Sequence, residues 1–359
     1  MVEYPDGRQD RSDNAKPKKE RGIGFKIFRF IAKTLGVLVA LVASLAIMVY
    51  GAVTVVCQGP FPTAKELLVV TAMETSAAKF LARIHLTEEE IDHILNSNAV
   101  LAPEEVTDTT VEFKQQENVT AEDYLDIEIH DVVRATFVGK MMIVKDPSRV
   151  RLATIDTFGY NVIGKKVEDF VIVNDAVGGI NAGGFADYGG VGTGGMPDVL
   201  LIKDGIIKVG SASTYCNVIG LSFDNRLIVG EMTAQAAIDM GVRDAVHFSP
   251  TLIVNGKAAE VSGSGGGINP RTCIGQREDG AILFLVIDGR QVHSIGASLQ
   301  DCVQVMLDFD AINAANLDGG SSSMMIYEGE VLNSCSSLYG SRTQPAAFIV
   351  DRLPEEAQV

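Results

Sequence analysis

An uninterrupted apolar run near the N-terminus constrains this chain more than any other feature of the sequence. Residues 34–56 read TLGVLVALVASLAIMVYGAVTVV and contain no charged side chain. At a rise of about 1.5 Å per residue, a helix of this length reaches about 35 Å, which is enough to cross the hydrocarbon core of a bilayer. We therefore interpret residues 34–57 as a transmembrane helix.

The charges on either side of this run predict its orientation. Residues 1–33 carry nine Lys or Arg and five Asp or Glu, a net charge of +4, whereas the whole chain carries −16. Because basic flanks of a membrane helix stay in the cytoplasm, we expect a cytoplasmic basic tail at 1–33 and an extracytoplasmic domain after the helix. A cleaved signal peptide is the alternative, although its apolar region is normally shorter.

The remaining composition excludes several classes of function. Residues 34–359 carry a net charge of −20, the difference between −16 and +4, so they would repel nucleic acids. None of the cysteines has the spacing of a zinc site. Four of them could form two disulfides outside the cell or remain as buried thiols; these are Cys216, Cys273, Cys302 and Cys335.

Residues 58–129 are predicted to form a helical stalk or arm and a linker. Thr63 with Glu66, and Thr87 with Glu90, have the spacing of a capping box, so helices are expected at about 63–83 and 87–97. The acidic, aperiodic stretch that follows reads as a linker. We expect this arm to support or pack against the next domain and to take no part in catalysis.

The sequence pattern of residues 130–352 differs from that of the arm and indicates a separate domain. Short apolar runs alternate with turn residues, and Lys203-Asp204-Gly205 and Asn255-Gly256 are typical of β-hairpins. Helical patterns occur near 165–174, 232–240 and 298–309. This mixture favours an α+β fold, with mixed β-sheets and flanking helices, over a doubly wound parallel sheet.

A glycine-rich segment at residues 178–187 follows one of the apolar runs. Its glycines would let backbone N–H groups approach an anion closely. No Gly-Lys-Ser/Thr follows, and the segment does not open a helix, so neither a P-loop nor a dinucleotide site is predicted. Taken alone, the segment reads equally well as a flexible loop.

Charged residues flank a second apolar run, residues 281–287. Arg271 is a natural partner for phosphate, because its guanidinium is permanently charged and binds in a bidentate manner. Asp288 comes directly after the run, at the end of a predicted strand, where sheets often place functional groups. The alternative for Asp288 and Arg290 is that they only shape a turn.

A third segment, residues 315–326, places Asp318 before two glycines and three serines. Exposed N–H groups and hydroxyls beside a carboxylate are suited to bind an anion and a sugar. A serine nucleophile at Ser321 or Ser322 is a weaker alternative, because no Gly-x-Ser-x-Gly elbow is present.

Together these segments resemble the phosphodiester glycosidase domain family, which includes the lysosomal uncovering enzyme, an N-acetylglucosamine-1-phosphodiester alpha-N-acetylglucosaminidase, and bacterial proteins often labelled for exopolysaccharide. The resemblance covers residues 135–352, and Cys273 stands where alanine is usual. The matching pieces are Ile180-Asn181-Ala182-Gly183-Gly184-Phe185, Pro270-Arg271-Thr272-Cys273-Ile274-Gly275, Asp288-Gly289-Arg290 and Asn316-Leu317-Asp318-Gly319-Gly320.

The resemblance implies hydrolysis of the bond between a sugar's anomeric carbon and a phosphodiester oxygen. Arg271 would hold the departing phosphate, while Asp288 and Asp318 would be the carboxylates that activate water or stabilise the developing cation. The residues expected to bind substrate are Asn181, Gly183, Gly184, Phe185, Thr272, Arg290, Gly319, Gly320, Ser321 and Ser322.

No cofactor and no metal are expected, although Asp187, Asp288 and Asp318 are oxygen ligands of the kind that Ca²⁺ or Mg²⁺ accepts, because no contiguous ligand loop is present. The expected partners are a membrane and a phosphorylated glycan or sugar-1-phosphodiester. The alternative function is a non-catalytic protein that binds or assembles phosphorylated envelope polysaccharide.

Overall fold

The computed structural model describes residues 23–75, 78–114, 127–187, 192–337 and 340–353. The chain divides into two compact units, residues 1–55 and residues 56–359. Most of the predicted cytoplasmic tail, residues 1–22, lies outside the described residues. Helix α1 (Ile23–Gln58) begins before the apolar run and is long and apolar enough to cross a membrane.

The other helices are short, and the strands outnumber them. The helices are α2 (Pro62–Glu74), α3 (Lys79–Ala82), α4 (Glu88–Ser97), α5 (Val167–Val173), α6 (Ala234–Asp239) and α7 (Leu299–Asp308). The strands are β1 (Val100–Leu101), β2 (Ile127–Val133), β3 (Val138–Val144), β4 (Val150–Thr154), β5 (Ala176–Asn181), β6 (Leu201–Lys203), β7 (Ile206–Val209), β8 (Tyr215–Ser222), β9 (Leu227–Thr233), β10 (Val242–His247), β11 (Thr251–Val254), β12 (Lys257–Ala258), β13 (Glu260–Val261), β14 (Arg271–Arg277), β15 (Ile282–Ile287), β16 (Ala311–Leu317), β17 (Met325–Tyr327), β18 (Glu330–Val331) and β19 (Ala346–Asp351).

One of the two predicted capping boxes in the arm is correct. At α4, the Thr87 hydroxyl accepts a hydrogen bond from the Glu90 N–H and the Glu90 carboxylate accepts one from the Thr87 N–H. The box predicted at Thr63 is wrong. Pro62 stands in the first turn of α2 and Phe61 is the N-terminal cap without a side-chain hydrogen bond, which agrees with the preference of proline for the start of a helix.

The strands form three larger sheets and one short pair. A seven-stranded sheet has the order β12-β11-β16-β14-β15-β3-β2, and two five-stranded sheets have the orders β7-β6-β10-β8-β9 and β18-β17-β5-β19-β4. Neighbouring strands pair antiparallel throughout the described residues. The predicted α+β class is confirmed, with sheets that are antiparallel wherever they are described.

The centre of the seven-stranded sheet is buried on both faces. Helix α7 covers one face, where Cys302 and Met306 pack with Leu283 and Leu285. Phe284 points to the other face and meets Phe348 of the neighbouring sheet, with ring centroids 6.4 Å apart. This double burial explains why the sequence of β15 is continuously apolar. Each such side chain stabilises the fold by about 2–3 kcal/mol.

The thiols contribute to this packing without forming disulfides. All five cysteines are free, and four of them are buried. The alternative of two disulfide bridges is therefore wrong. Burial raises the pKa of the Cys273 thiol, so it stays protonated and behaves as a small apolar side chain.

Antiparallel pairing places the candidate residues at one edge of this sheet. Arg271, which begins β14, lies opposite Ile287 at the end of β15, and Thr272 lies opposite Leu317 at the end of β16. The start of one strand is thus flanked by the ends of its two neighbours. Asp288 and Asp318 consequently leave the sheet on either side of Arg271.

Candidate functional site

A cavity of about 430 Å³ opens at this sheet edge. Three arginines and three carboxylates lie in its lining, so charge dominates its chemistry. The lining residues are Glu74, Thr75, Asp187, Phe248, Ser249, Asn269, Pro270, Arg271, Arg290, Asn316, Asp318, Gly319, Gly320, Ser321, Ser322 and Arg342.

Asp318 is the carboxylate with the most unusual environment in the cavity. The residue keeps some exposure to the cavity, but protein atoms surround its carboxyl group. This burial raises the pKa of Asp318 to about 6, although hydrogen bonds from the Ser322 hydroxyl and the Gly319 N–H partly oppose the shift. A carboxyl with a pKa near neutrality can change protonation state during a reaction.

A buried network holds the backbone of Asp318. Asn181 donates from Nδ2 to the Asp318 carbonyl oxygen at 2.6 Å, and its Oδ1 accepts from Thr272 Oγ1 at 2.8 Å and from the Met324 N–H at 3.1 Å. Asn181 and Thr272 are fully buried and do not line the cavity. The structure therefore gives these two expected substrate-binding residues the role of positioning Asp318.

Arg271 reaches the cavity, but most of its donors are already used. Its Nε donates to the Ala297 carbonyl at 3.1 Å, and its Nη2 donates to the carbonyls of Gly266 and Gly267 at 2.7 and 3.0 Å. The same Nη2 forms an ion pair of 2.9 Å with Glu74. Arg271 thus ties the glycine-rich loop before β14 to the sheet, with little capacity left for a bidentate phosphate contact.

Arg290 is the second arginine at this end of the cavity. Its Nη2 donates to Thr75 Oγ1 at 2.9 Å and to Asn269 Oδ1 at 2.8 Å, both neutral oxygens. In the part of the chain that the structure describes, no carboxylate forms an ion pair with it. Gly320 has φ +64, and a Cβ there would lie 3.4 Å from the Arg290 guanidinium. The glycine therefore lets the backbone approach this cation closely.

Arg342 is a cavity residue outside the motifs recognised in the sequence. It forms an ion pair of 2.5 Å with Asp187, donates to the Gly192 carbonyl at 3.2 Å, and lies over the Phe185 ring at 4.6 Å. Phe185, which was expected to bind substrate, contacts this guanidinium with its ring and is not among the cavity-lining residues. One signal was present in the sequence: an Arg-Thr pair precedes or begins a strand both here and at Arg271.

Glu74 comes from the helical arm, which was expected to take no part in catalysis. Its carboxylate bonds the Asn269 side-chain amide at 2.7 Å in addition to Arg271. The side chain keeps 31% of its surface exposed, yet desolvation raises the pKa of its carboxyl group against the lowering effect of Arg271. The arm therefore contacts the domain through Glu74 and supplies Glu74 and Thr75 to the cavity.

Contacts made by the arm also order the loop before β14. The Ile268 N–H donates to Thr71 Oγ1 at 3.1 Å, and the Ser264 N–H donates to Asn98 Oδ1 at 2.5 Å. Gly267, whose φ is +73, leaves room for the backbone of Thr71, which a Cβ would approach to 2.8 Å. Contacts from Thr71 of α2 and from Asn98 at the end of α4 therefore hold the arm, and with it Glu74, against the loop that Arg271 binds.

Asp288 lies in a different cavity, of about 400 Å³, beside His293 and Asn333. Its Oδ1 accepts from the Ser334 N–H at 2.8 Å and from Asn333 Nδ2 at 3.3 Å. Side chains alternate along a strand. Because Arg271 pairs with Ile287, Asp288 points to the opposite face. This corrects the expectation that Asp288, Asp318 and Arg271 share one cleft.

The remaining expected residues divide into two groups. Gly319, Gly320, Ser321 and Ser322 line the cavity beside Asp318. Gly183 and Gly184 instead pack beneath residues 246–248; a Cβ at Gly183 would lie 2.6 Å from the His247 carbonyl oxygen. Among the described residues, no group of three or more His, Cys, Asp or Glu side chains is placed to hold a metal ion.

Comparison with known proteins agrees with this geometry. Residues 174–350 match the family model for phosphodiester glycosidases. This range contains β5, β14 to β16 and the cavity-lining segment at residues 318–322. This part of the chain belongs to the phosphodiester glycosidase family. The match omits the helical arm, so Glu74 and Thr75 lie outside the region by which the phosphodiester glycosidase domain is recognised.

Two individual proteins are similar over longer stretches. The SPbeta prophage-derived uncharacterized protein YomE of Bacillus subtilis is 26% identical over 302 residues, which are 77% of this chain and 43% of that protein. The chain thus spans less than half the length of this relative. The zebrafish N-acetylglucosamine-1-phosphodiester alpha-N-acetylglucosaminidase catalytic domain, auto-inhibited by its pro-peptide, has a TM-score of 0.53 at 19% identity, covering 69% of this chain and 88% of that one. At that identity the likeness shows the fold.

Proposed function

We propose that the cavity hydrolyses a sugar-1-phosphodiester on the outer side of a membrane and releases a free sugar and a phosphomonoester. The observation that carries this proposal is the placement of Asp318, whose pKa is raised to about 6, in one cavity with three guanidinium groups. Family membership supports the reaction class. The name of the zebrafish relative suggests an N-acetylglucosamine-1-phosphodiester as the first substrate to test.

The phosphate is assigned to the arginine end of the cavity. Arg290 has neutral partners for its Nη2 and lies beside Gly320, so it is the guanidinium with the most capacity for an anion. Arg342 also lines the cavity, paired with Asp187. Preorganised cations of this kind stabilise the negative charge that develops on a departing phosphate. The phosphate is already a good leaving group, so a strong general acid is not required.

The anomeric carbon is assigned to Asp318. Positive charge develops at that carbon as the glycosidic bond breaks, and an ionised carboxylate nearby stabilises it or activates the attacking water. Ser322 and Gly319 hold the carboxylate in place, and Asn181 holds its backbone. Asp288 is assigned a supporting role, because its carboxylate binds Ser334 and Asn333 in the second cavity.

The proposal also covers where the protein is anchored and how its charge affects an anionic substrate. Helix α1 would anchor the protein with residues 1–33 in the cytoplasm, as the basic flank predicts. The acidic exterior repels an anionic substrate at long range, so local arginines must attract it. Binding should respond to salt, because salt screens both the repulsion and the attraction. The expected partner is a phosphorylated glycan or glycoconjugate.

The test uses the full-length protein in detergent with an N-acetylglucosamine-1-phosphodiester. Free sugar and phosphomonoester are measured separately, in the wild-type protein and in Asp318→Asn. Equal amounts of both products from the wild-type protein alone would support the proposal. Saturable binding of the substrate without release of either product would show instead a protein that binds or assembles phosphorylated polysaccharide.

A further inference from the structure

Two of the three arginines in the cavity form ion pairs with carboxylates, and the third, Arg290, contacts neutral groups. Arg271 is paired with Glu74 at 2.9 Å, and Arg342 is paired with Asp187 at 2.5 Å. Arg290 contacts neutral oxygens, and the structure, where it describes the chain, shows no ion pair to it. Arg290 is therefore the guanidinium that is open to the single negative charge of a phosphodiester.

Glu74 is placed to affect an anion bound at Arg290. Its carboxylate accepts from the Asn269 side-chain amide, whose oxygen accepts from Arg290, and Glu74 and Arg290 line the same cavity. Its hydrogen bond to Asn269 and its ion pair with Arg271 hold the carboxylate in place. Any phosphate bound at Arg290 therefore has a fixed negative charge near it.

We propose that Glu74 is a selectivity residue that makes the cavity prefer a phosphodiester monoanion to a phosphomonoester dianion. The inference rests on the proposed function, because a phosphodiester is there the substrate and a phosphomonoester the product. Coulomb energy is proportional to the product of the two charges. A phosphomonoester approaches two negative charges above its second pKa of about 6, so Glu74 repels it about twice as strongly as a diester. The arm would thus promote release of the product.

The test compares two probes that differ by one methyl group, methyl phosphate and dimethyl phosphate. Their dissociation constants are measured by phosphorus NMR titration at about pH 8, where methyl phosphate is a dianion. The protein is the full chain, as wild type and as Glu74→Gln, which keeps the shape of the side chain and removes its charge. Glu89→Gln is the matched control, since Glu89 is exposed on α4, belongs to the same arm and does not line the cavity.

The proposal predicts a specific relation between the two affinities. In Glu74→Gln the dissociation constant should fall about threefold for dimethyl phosphate and about tenfold for methyl phosphate, because doubling the charge squares the factor. Glu89→Gln should change both by less than about twofold, because its charge is screened by solvent.

Three results would overturn the proposal. Equal factors for both probes would mean that Glu74 only obstructs the cavity sterically, and unchanged constants would mean that its charge is not sensed. A similar decrease of both dissociation constants in Glu89→Gln would mean that the overall negative charge of the arm, and not Glu74 in particular, weakens phosphate binding. The hydrolysis assay is separate: a wild-type protein that binds both probes but never releases sugar would contradict the proposed function and leave the selectivity standing.

Discussion

Asn181 donates a hydrogen bond of 2.6 Å to the backbone carbonyl of Asp318 and so joins two different sheets at the candidate active site. Asn181 ends β5 of a five-stranded sheet, and Asp318 directly follows β16 of the seven-stranded sheet. The three partners of the Asn181 amide satisfy it without solvent. The position of the Asp318 carboxyl therefore depends on how these sheets pack.

The first prediction concerns this contact. Asn181→Ala should reduce kcat by at least about tenfold, because the Asp318 backbone loses its anchor, and should lower the free energy of unfolding by about 1–3 kcal/mol, because buried polar partners are left unsatisfied. Steady-state kinetics and urea unfolding measure the two effects. Thr272→Val is the control, since it removes only the hydroxyl bonded to Asn181 and keeps its volume; it should retain most of kcat. A larger loss in Thr272→Val than in Asn181→Ala would contradict this account.

The second prediction concerns the pH dependence of hydrolysis. The ionised form of Asp318 is assigned the active role, and its pKa is raised to about 6. We expect kcat/KM to increase with pH through about 6 and to level off above it. The measurement is a pH–rate profile of the wild-type protein. Activity that instead declines as pH rises through 6 would mean that protonated Asp318 acts as an acid.

The third prediction concerns stability, which should fall as Asp318 ionises, whereas activity should rise. The pKa of Asp318 rises from 3.8 to about 6 on folding, so the folded state holds this proton more tightly than the unfolded chain. The stabilisation is fully present below about pH 4 and is lost as pH rises through about 6. Asp318→Asn should therefore be more stable than wild type at pH 8, by about 1–3 kcal/mol. Urea unfolding of both proteins at pH 5 and pH 8 checks this; an equal or larger difference at pH 5 would contradict it.

The fourth prediction concerns Arg342. Arg342→Ala should lower kcat/KM by roughly tenfold to a hundredfold, because the cavity loses a charged donor and leaves Asp187 without this ion pair. Arg342→Lys should recover only part of the loss, since a lysine cannot stack on Phe185 in the same way. The control is Arg352→Ala, which removes an exposed ion pair with Asp175 outside the cavity. Equal losses in the control and the variant would remove Arg342 from the site.

The fifth prediction separates the two aspartates that the sequence treated alike. Asp288→Asn should weaken the hydrogen bonds that the Asp288 carboxylate accepts from the Ser334 N–H and the Asn333 side chain. The free energy of unfolding should fall by about 1–2 kcal/mol as a result. The variant should keep at least about a tenth of wild-type kcat, whereas Asp318→Asn should lose nearly all activity. A well-folded but inactive Asp288→Asn would restore Asp288 to a catalytic role.

The sequence predicted the features that depend on neighbouring residues. The strand at residues 282–287, the hairpin turns at Asp204-Gly205 and Asn255-Gly256, the helix at residues 299–308 and the capping box of α4 all follow local rules and are present in the structure. The motif around Asp318 also located one wall of the cavity.

The sequence could not predict features that depend on the direction of side chains or on distant contacts. Arg271 pairs with Ile287, and Asp288 is the next residue along the chain, so its side chain points to the opposite face of the sheet from Arg271. The sequence does not show this strand pairing. Glu74 reaches Arg271 only because the arm packs on a loop far along the chain. Arg342 lines the cavity but belongs to none of the motifs recognised in the sequence.

Release of sugar from an N-acetylglucosamine-1-phosphodiester by wild-type protein and by Asp318→Asn decides whether this cavity is a phosphodiester glycosidase site. We expect stoichiometric sugar and phosphomonoester from the wild type, and a folded Asp318→Asn that releases neither. Full activity in a folded Asp318→Asn, or no product from a wild-type protein that binds the substrate, would contradict it.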